Sequence, residues 1–114
     1  MTITEKILAA HADRDRVEPG EILDCRIDLA MANDITAPLS LEEFEKVGAK
    51  AVFDPNKVVF VLDHFTPNKD ILSAENCKKI REFSRKYGIV NFFEGGECGI
   101  EHALLPEKGL VVAG

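Results

Sequence analysis

Lys57-Val58-Val59-Phe60-Val61-Leu62, followed at once by Asp63-His64, is the stretch that sets the architecture. It is nearly uninterrupted β-branched and apolar sequence, without the polar alternation of a half-solvated strand. Strands of this kind are covered on both faces, as in a parallel sheet. Upstream, Leu23, Cys25, Ile27 and Leu29 alternate with polar residues, and the run closes on Leu29-Ala30-Met31-Ala32, which predicts another strand over about 22–32. A helix is expected between the two, with Ser40 and Glu43 as a capping box, Leu39 and Phe44 at staple spacing, and Gly48 as the stop. Downstream, Ala74, Cys77, Ile80, Phe83 and Tyr87 form one stripe of a helix from about Ser73 to Tyr87, ended by Gly88. Ile89 to Phe93 predicts a strand, Ile100 to Leu105 a short helical turn ended by Pro106, and Leu110-Val111-Val112 the opening of a last strand. At the amino terminus, Thr2 and Glu5 have capping-box spacing for a helix to about Asp13, and Pro19-Gly20 then breaks the chain. Repeated strand–helix units imply an α/β fold with a mainly parallel sheet flanked by helices.

The 114 residues predict a single domain over 1–114. Lys and Arg total 14 against 20 Asp and Glu, a net charge of −6 that argues against a nucleic-acid binder. With 46% hydrophobic and 30% charged residues, the composition is that of a soluble globular chain. The three cysteines, Cys25, Cys77 and Cys98, are odd in number and widely spaced, which predicts a reducing, cytoplasmic setting rather than a disulfide framework. No apolar run reaches the length of a membrane span or of a signal-peptide core. Gly95-Gly96 and Gly99 lack the Lys-Ser/Thr of a phosphate loop, and no Gly-x-Ser-x-Gly occurs. Lys78, Lys79, Arg81, Arg85 and Lys86 read as a solvated helix face.

In a parallel α/β sheet, ligands bind beyond the carboxyl ends of the strands. The polar groups expected there are Asn33-Asp34-Ile35-Thr36 after the first strand, Asp63-His64 after the second, and Glu94 to Cys98 after the third, with His102 close behind. A carboxylate beside an imidazole holds one tautomer and favours the charged form, as a general acid near neutral pH requires. The same two residues also fit a turn cap and a surface histidine, and His102 equally fits a helix cap. The histidines and cysteines have no zinc spacing, so no metal ligand is expected among them. Cys98 reads as an ordinary loop cysteine, and His11, in the first helix, has no evident partner.

Taken in order, MTITEKILAAHAD (1–13), NDITAP (33–38), VLDHFTPNKD (61–70) and GIEHALLPEKG (99–109) resemble the amino-terminal region of the large subunit of 3-isopropylmalate dehydratase, within the aconitase superfamily. The resemblance covers essentially all 114 residues and is closest in style to the shorter, archaeal-like form. It implies an incomplete aconitase-like amino-terminal domain. It also implies a hydro-lyase that isomerises a hydroxy-dicarboxylic acid by dehydration and rehydration, using a 4Fe–4S cluster with one open iron. On that resemblance Asp63, His64 and His102 are catalytic, His64 protonating the departing hydroxyl. Asn33 lies near a substrate carboxylate, with Asp34 and Thr36 supporting its turn.

The family's Asp-Ser-His motif, its cluster cysteines, its base and its carboxylate-clamping arginines have no counterpart in this sequence. Cys25, Cys77 and Cys98 match none of the cluster positions. The expectation is therefore an amino-terminal piece of a larger subunit that works with a separate small subunit, and that alone binds no cluster and is inactive. Uncovered sheet edges would favour self-association. A homoaconitase- or aconitase-type hydratase and a stand-alone, non-catalytic α/β binding module are the alternative readings.

Overall fold

A computed structural model describes residues 1–112. They fall into two compact units: Met1–Asp28 together with the segment from Val111, and Leu29–Leu110.

In the first unit, helix α1 spans Ile3–His11. Thr2 Oγ1 accepts the Glu5 N–H and the Glu5 carboxylate accepts the Thr2 N–H, so the expected capping box forms. His11 gains a partner that sequence alone did not supply: Nε2 meets Asp28 Oδ2 at 2.5 Å, and the Asp28 carboxylate raises its pKa. The alternating run that predicted a strand from residue 22 stays irregular up to residue 29. Its backbone bonds elsewhere, the Arg26 N–H to the His11 carbonyl at 2.9 Å, and Ile22 and Ile27 are exposed. Alternation marks a strand only where a neighbouring strand can pair with it.

The second unit is built on three parallel strands in the order β1-β2-β3: β1 Ala30–Asn33, β2 Val58–Val61 and β3 Asn91–Phe93. Helix α2 (Ala37–Lys46) joins β1 to β2, and α3 (Ile71–Tyr87) joins β2 to β3. Helix α4 (Glu101–Glu107) follows β3. All four residues of β2 are buried, as expected of a central parallel strand. Val58, Phe60 and Leu62 point to one face, where they pack with Ala37 and Leu41 of α2 and Cys77, Ile80 and Phe83 of α3. Phe83 lies edge-on to Phe44 at 5.2 Å and to Phe60 at 5.9 Å between ring centroids. Full burial of each such side chain contributes about 1.5–3 kcal/mol.

Three boundaries correct the sequence reading. Ser40 does not start α2. Thr36 is its N-cap, Pro38 lies in the first turn, where its missing N–H costs nothing, and the Ser40 hydroxyl donates to the Thr36 carbonyl. The Ser40/Glu43 box and the Leu39/Phe44 staple therefore lie within the helix. Pro106 sits inside α4 rather than ending it, forfeiting only the bond toward the His102 carbonyl. Leu110–Val112 form no strand, and Ala113 and Gly114 lie outside the described residues. The α3 stop stands as read, with Gly88 left-handed at φ 67°.

The turn after β3 is close to the segment after β2. A Cβ placed on Gly95 would overlap the Thr66 side chain, whose hydroxyl is anchored on the Leu62 carbonyl at 2.9 Å. Gly95→Ala is expected to destabilise the unit by about 1–3 kcal/mol in urea unfolding. Adding Thr66→Ser, which removes the overlapping methyl, should recover part of that loss; no recovery would mean the strain lies elsewhere.

Candidate functional site

The three strands run parallel, so their carboxyl ends share one edge of the sheet. Asn33 closes β1, Leu62-Asp63-His64 continue from β2, and Glu94 follows β3. The first residue of α4, Glu101, joins them.

Each side chain here is held by the backbone of another segment. Asn33 Oδ1 accepts the N–H groups of Ile35 and Thr36, at 3.0 Å each, and shapes the turn into α2. Its Nδ2 donates to Glu101 Oε1 at 3.0 Å. Thr36 Oγ1 in turn accepts the Asn33 N–H at 3.2 Å. Asp34 is completely buried and reaches across to the segment after β2, where its two oxygens accept the N–H groups of His64 (3.1 Å) and Phe65 (2.7 Å). It therefore supports a different turn from the one the sequence suggested. Asp63 Oδ2 accepts the Glu101 N–H at 2.8 Å, and its Oδ1 pairs with His64 Nδ1 at 2.7 Å. That second bond is the side-chain contact that adjacency alone could not promise.

His64 keeps 32% of its side chain exposed, with Nδ1 turned inward on Asp63 and within 3.8 Å of both Asp34 Oδ1 and Glu101 Oε2. His102, at 78% exposure, has Nε2 3.7 Å from Glu101 Oε1. The two imidazoles therefore flank one buried carboxylate. Glu101 was not singled out in the sequence. Its acidic place in the first turn of α4, beside His102, was the available signal, and only the fold brings it to Asn33 and Asp63.

Beyond β3, Arg81 grips Glu94 with two bonds of 2.7 Å, so this arginine is not part of a free basic face. Arg81, and secondarily the Gly95 N–H, hold the Glu94 carboxyl below its ordinary range. A lowered folded pKa means the pair stabilises the fold above about pH 4.3, and that contribution is lost as pH falls through the lowered value. Glu94→Gln is thus expected to be less stable than the parent at pH 7. In urea unfolding the gap should close below roughly pH 4; a gap independent of pH would count against the pair.

Over its full length the chain matches curated proteins. It is 60% identical over 113 residues to "3-isopropylmalate dehydratase large subunit" of Endomicrobium trichonymphae, covering 99% of this chain and 27% of that protein. It is 59% identical over 114 residues to the same-named protein of Caldicellulosiruptor saccharolyticus, and 60% identical over 114 residues to that of Acetivibrio thermocellus. Each of these two matches covers all of this chain and 27% of the relative. The chain is homologous along its entire length to 3-isopropylmalate dehydratase large subunits. It spans about a quarter of their length. No protein-family model matches it.

The resemblance to dehydratase large subunits raises the question of an iron–sulfur cluster, which thiolates would hold. The cysteines present do not fit one. Cys77 is buried in α3 with its sulfur against Asn68 Nδ2 at 3.3 Å. Burial, followed by the charges of Asp63, Glu97 and Glu94, pushes the Cys98 thiol above its ordinary range, away from the thiolate a cluster needs. Cys25 lies in the first unit, its thiol 3.8 Å from the Leu8 carbonyl. Among the described residues, the one grouping of three potential metal ligands contains no cysteine. No described helix is long and apolar enough to cross a membrane.

Proposed function

We propose that this chain forms one wall of the active site of a cytoplasmic hydro-lyase. The enzyme interconverts 2- and 3-isopropylmalate by dehydration and rehydration in leucine biosynthesis, together with a small subunit. The observation that carries the reading is the Asp63–His64 pair, a buried carboxylate holding a partly exposed imidazole at the carboxyl edge of a parallel sheet whose sequence is about 60% identical to dehydratase large subunits.

The chemistry follows from the pairing. Asp63 fixes the proton on Nδ1, so Nε2 is the atom that gives and takes protons. In the dehydration direction, protonated His64 passes its Nε2 proton to the departing hydroxyl, and water leaves as the carbon–oxygen bond breaks. The proton on the neighbouring carbon goes to a base outside this chain. In hydration the imidazole takes the proton back from the attacking water. His102, exposed on the same rim, is the second active-site imidazole. Asn33, Asp34 and Thr36 hold the substrate side of the wall in shape. The buried Asp34, Asp63 and Glu101 make this wall acidic. The cations that receive the substrate's carboxylates, and the 4Fe–4S cluster, therefore belong to other parts of the enzyme.

A chimera tests the reading. This chain replaces the matching 114 residues of the Caldicellulosiruptor saccharolyticus large subunit and is assayed with that organism's small subunit. The expected result is conversion of 2- to 3-isopropylmalate by the chimera and none by the 114-residue chain alone. A folded, cluster-loaded chimera without turnover would overturn the proposal.

A further inference from the structure

Glu101 is 3% exposed, yet among the described residues its carboxylate receives a single hydrogen bond, from Asn33 Nδ2 to Oε1 at 3.0 Å. Oε2 is buried without a hydrogen-bond partner. His64 Nδ1 stands 3.8 Å from it, beyond hydrogen-bond reach, and gives its bond to Asp63. Burying a carboxylate costs free energy that one neutral donor offsets only in part. The side chain therefore does little for the fold, and its place is explained by what it holds.

What it holds is the amide of Asn33. The N–H groups of Ile35 and Thr36 both point at one atom of that amide, which must be the oxygen, so the nitrogen faces Glu101. An amide nitrogen carries two N–H donors in one plane. One is spent on Glu101 Oε1, in a bond strengthened by the charge of its acceptor. The first bond fixes the direction of the second N–H. Asn33 is half-buried, so that N–H can be reached, and on a wall of carboxylates it is a donor suited to an acidic substrate. The Glu101 main chain has a separate task. Its N–H binds Asp63 Oδ2 at 2.8 Å and leaves Oδ1 for His64.

We propose that Glu101 is a positioning residue, its carboxylate fixing the Asn33 amide so that the second N–H is presented to a substrate carboxylate. The inference rests on the hydro-lyase reading above. Because the side chain serves Asn33 while the main chain serves the proton-transfer pair, loss of the side chain acts on substrate binding more than on the chemical step.

The test compares kinetic constants in the chimera. Glu101→Ala frees the Asn33 amide but keeps the N–H to Asp63, so KM for 2-isopropylmalate should rise about tenfold while kcat falls less than about threefold. Asn33→Ala should raise KM similarly, and the double variant no further, because both remove one contact. Glu101→Gln, whose amide oxygen accepts from Asn33, should bring KM back to within about twofold of the parent. Because a variant can fail to fold, the bond is also read by NMR on the unsubstituted 114-residue chain. The Asn33 side-chain N–H facing Glu101 should exchange with solvent at least about tenfold more slowly than a free asparagine amide. An unchanged KM, a loss confined to kcat, KM rises that add in the double variant, no rescue by glutamine, or exchange at the free rate would each overturn the positioning role and leave the hydro-lyase reading standing. A chimera without turnover overturns that reading, and the inference falls with it.

Discussion

Asp34→Ala is expected to lower the unfolding free energy by about 3 kcal/mol, a large share of the roughly 5–15 kcal/mol that a domain possesses. The Asp34 carboxylate is wholly buried and is the acceptor for two backbone N–H groups, those of His64 and Phe65. Hydrogen bonds to a charged acceptor contribute about 1.5–3 kcal/mol each, and removing the acceptor leaves both donors buried and unpaired. Relief of repulsion with Asp63 and Glu101 offsets part of the loss. Asp34→Asn keeps one acceptor but turns an amide NH2 toward the other donor, so it should fall between parent and alanine variant. Urea unfolding with a constant m-value measures the series. A loss below about 1 kcal/mol for the alanine variant would show that the segment after β2 holds its shape without Asp34.

Replacing His64 by alanine in the chimera is expected to reduce kcat by about 10²–10⁴-fold, the range for losing a positioned general acid. KM should change little, since proton transfer to the leaving hydroxyl matters in the transition state rather than in substrate binding. Asp63→Asn keeps the size and an acceptor oxygen but loses the carboxylate that pairs with Nδ1 of His64. It should cost activity while leaving the Glu101 N–H bonded. His102, largely exposed and 3.7 Å from Glu101, should show a smaller loss on removal. Full activity in the His64 variant would exclude it as the proton donor.

How much of this was legible in the sequence varies by residue. The uninterrupted apolar run of β2 stated both a strand and its burial, because every side chain of a central parallel strand meets protein. Thr2 with Glu5 and Gly88 marked helix ends correctly, because caps are made by residues three or four apart. The run from residue 22 misled because strand formation needs a pairing partner that no local pattern reveals. Ser40 misled because it had a stronger competitor upstream, where Asn33 and Thr36 shape the turn and Pro38 occupies the first turn of the helix.

For the site, the order of strand and helix was enough to collect Asn33, Asp34, Asp63, His64 and Glu94 at one sheet edge, because parallel strands point their carboxyl ends the same way. By itself, then, the sequence determined an α/β unit with a parallel sheet and a polar rim carrying Asp63-His64. Only the tertiary structure decided that Asp34 buries itself under the segment after β2, that Glu101 stands between two imidazoles, and that one of its oxygens is left without a partner. The contacts of Asp34 with His64, and of Glu101 with Asn33, join residues 30 and 68 positions apart. They depend on the register of neighbouring strands and the landing point of α4, which packing sets and nearest-neighbour chemistry does not.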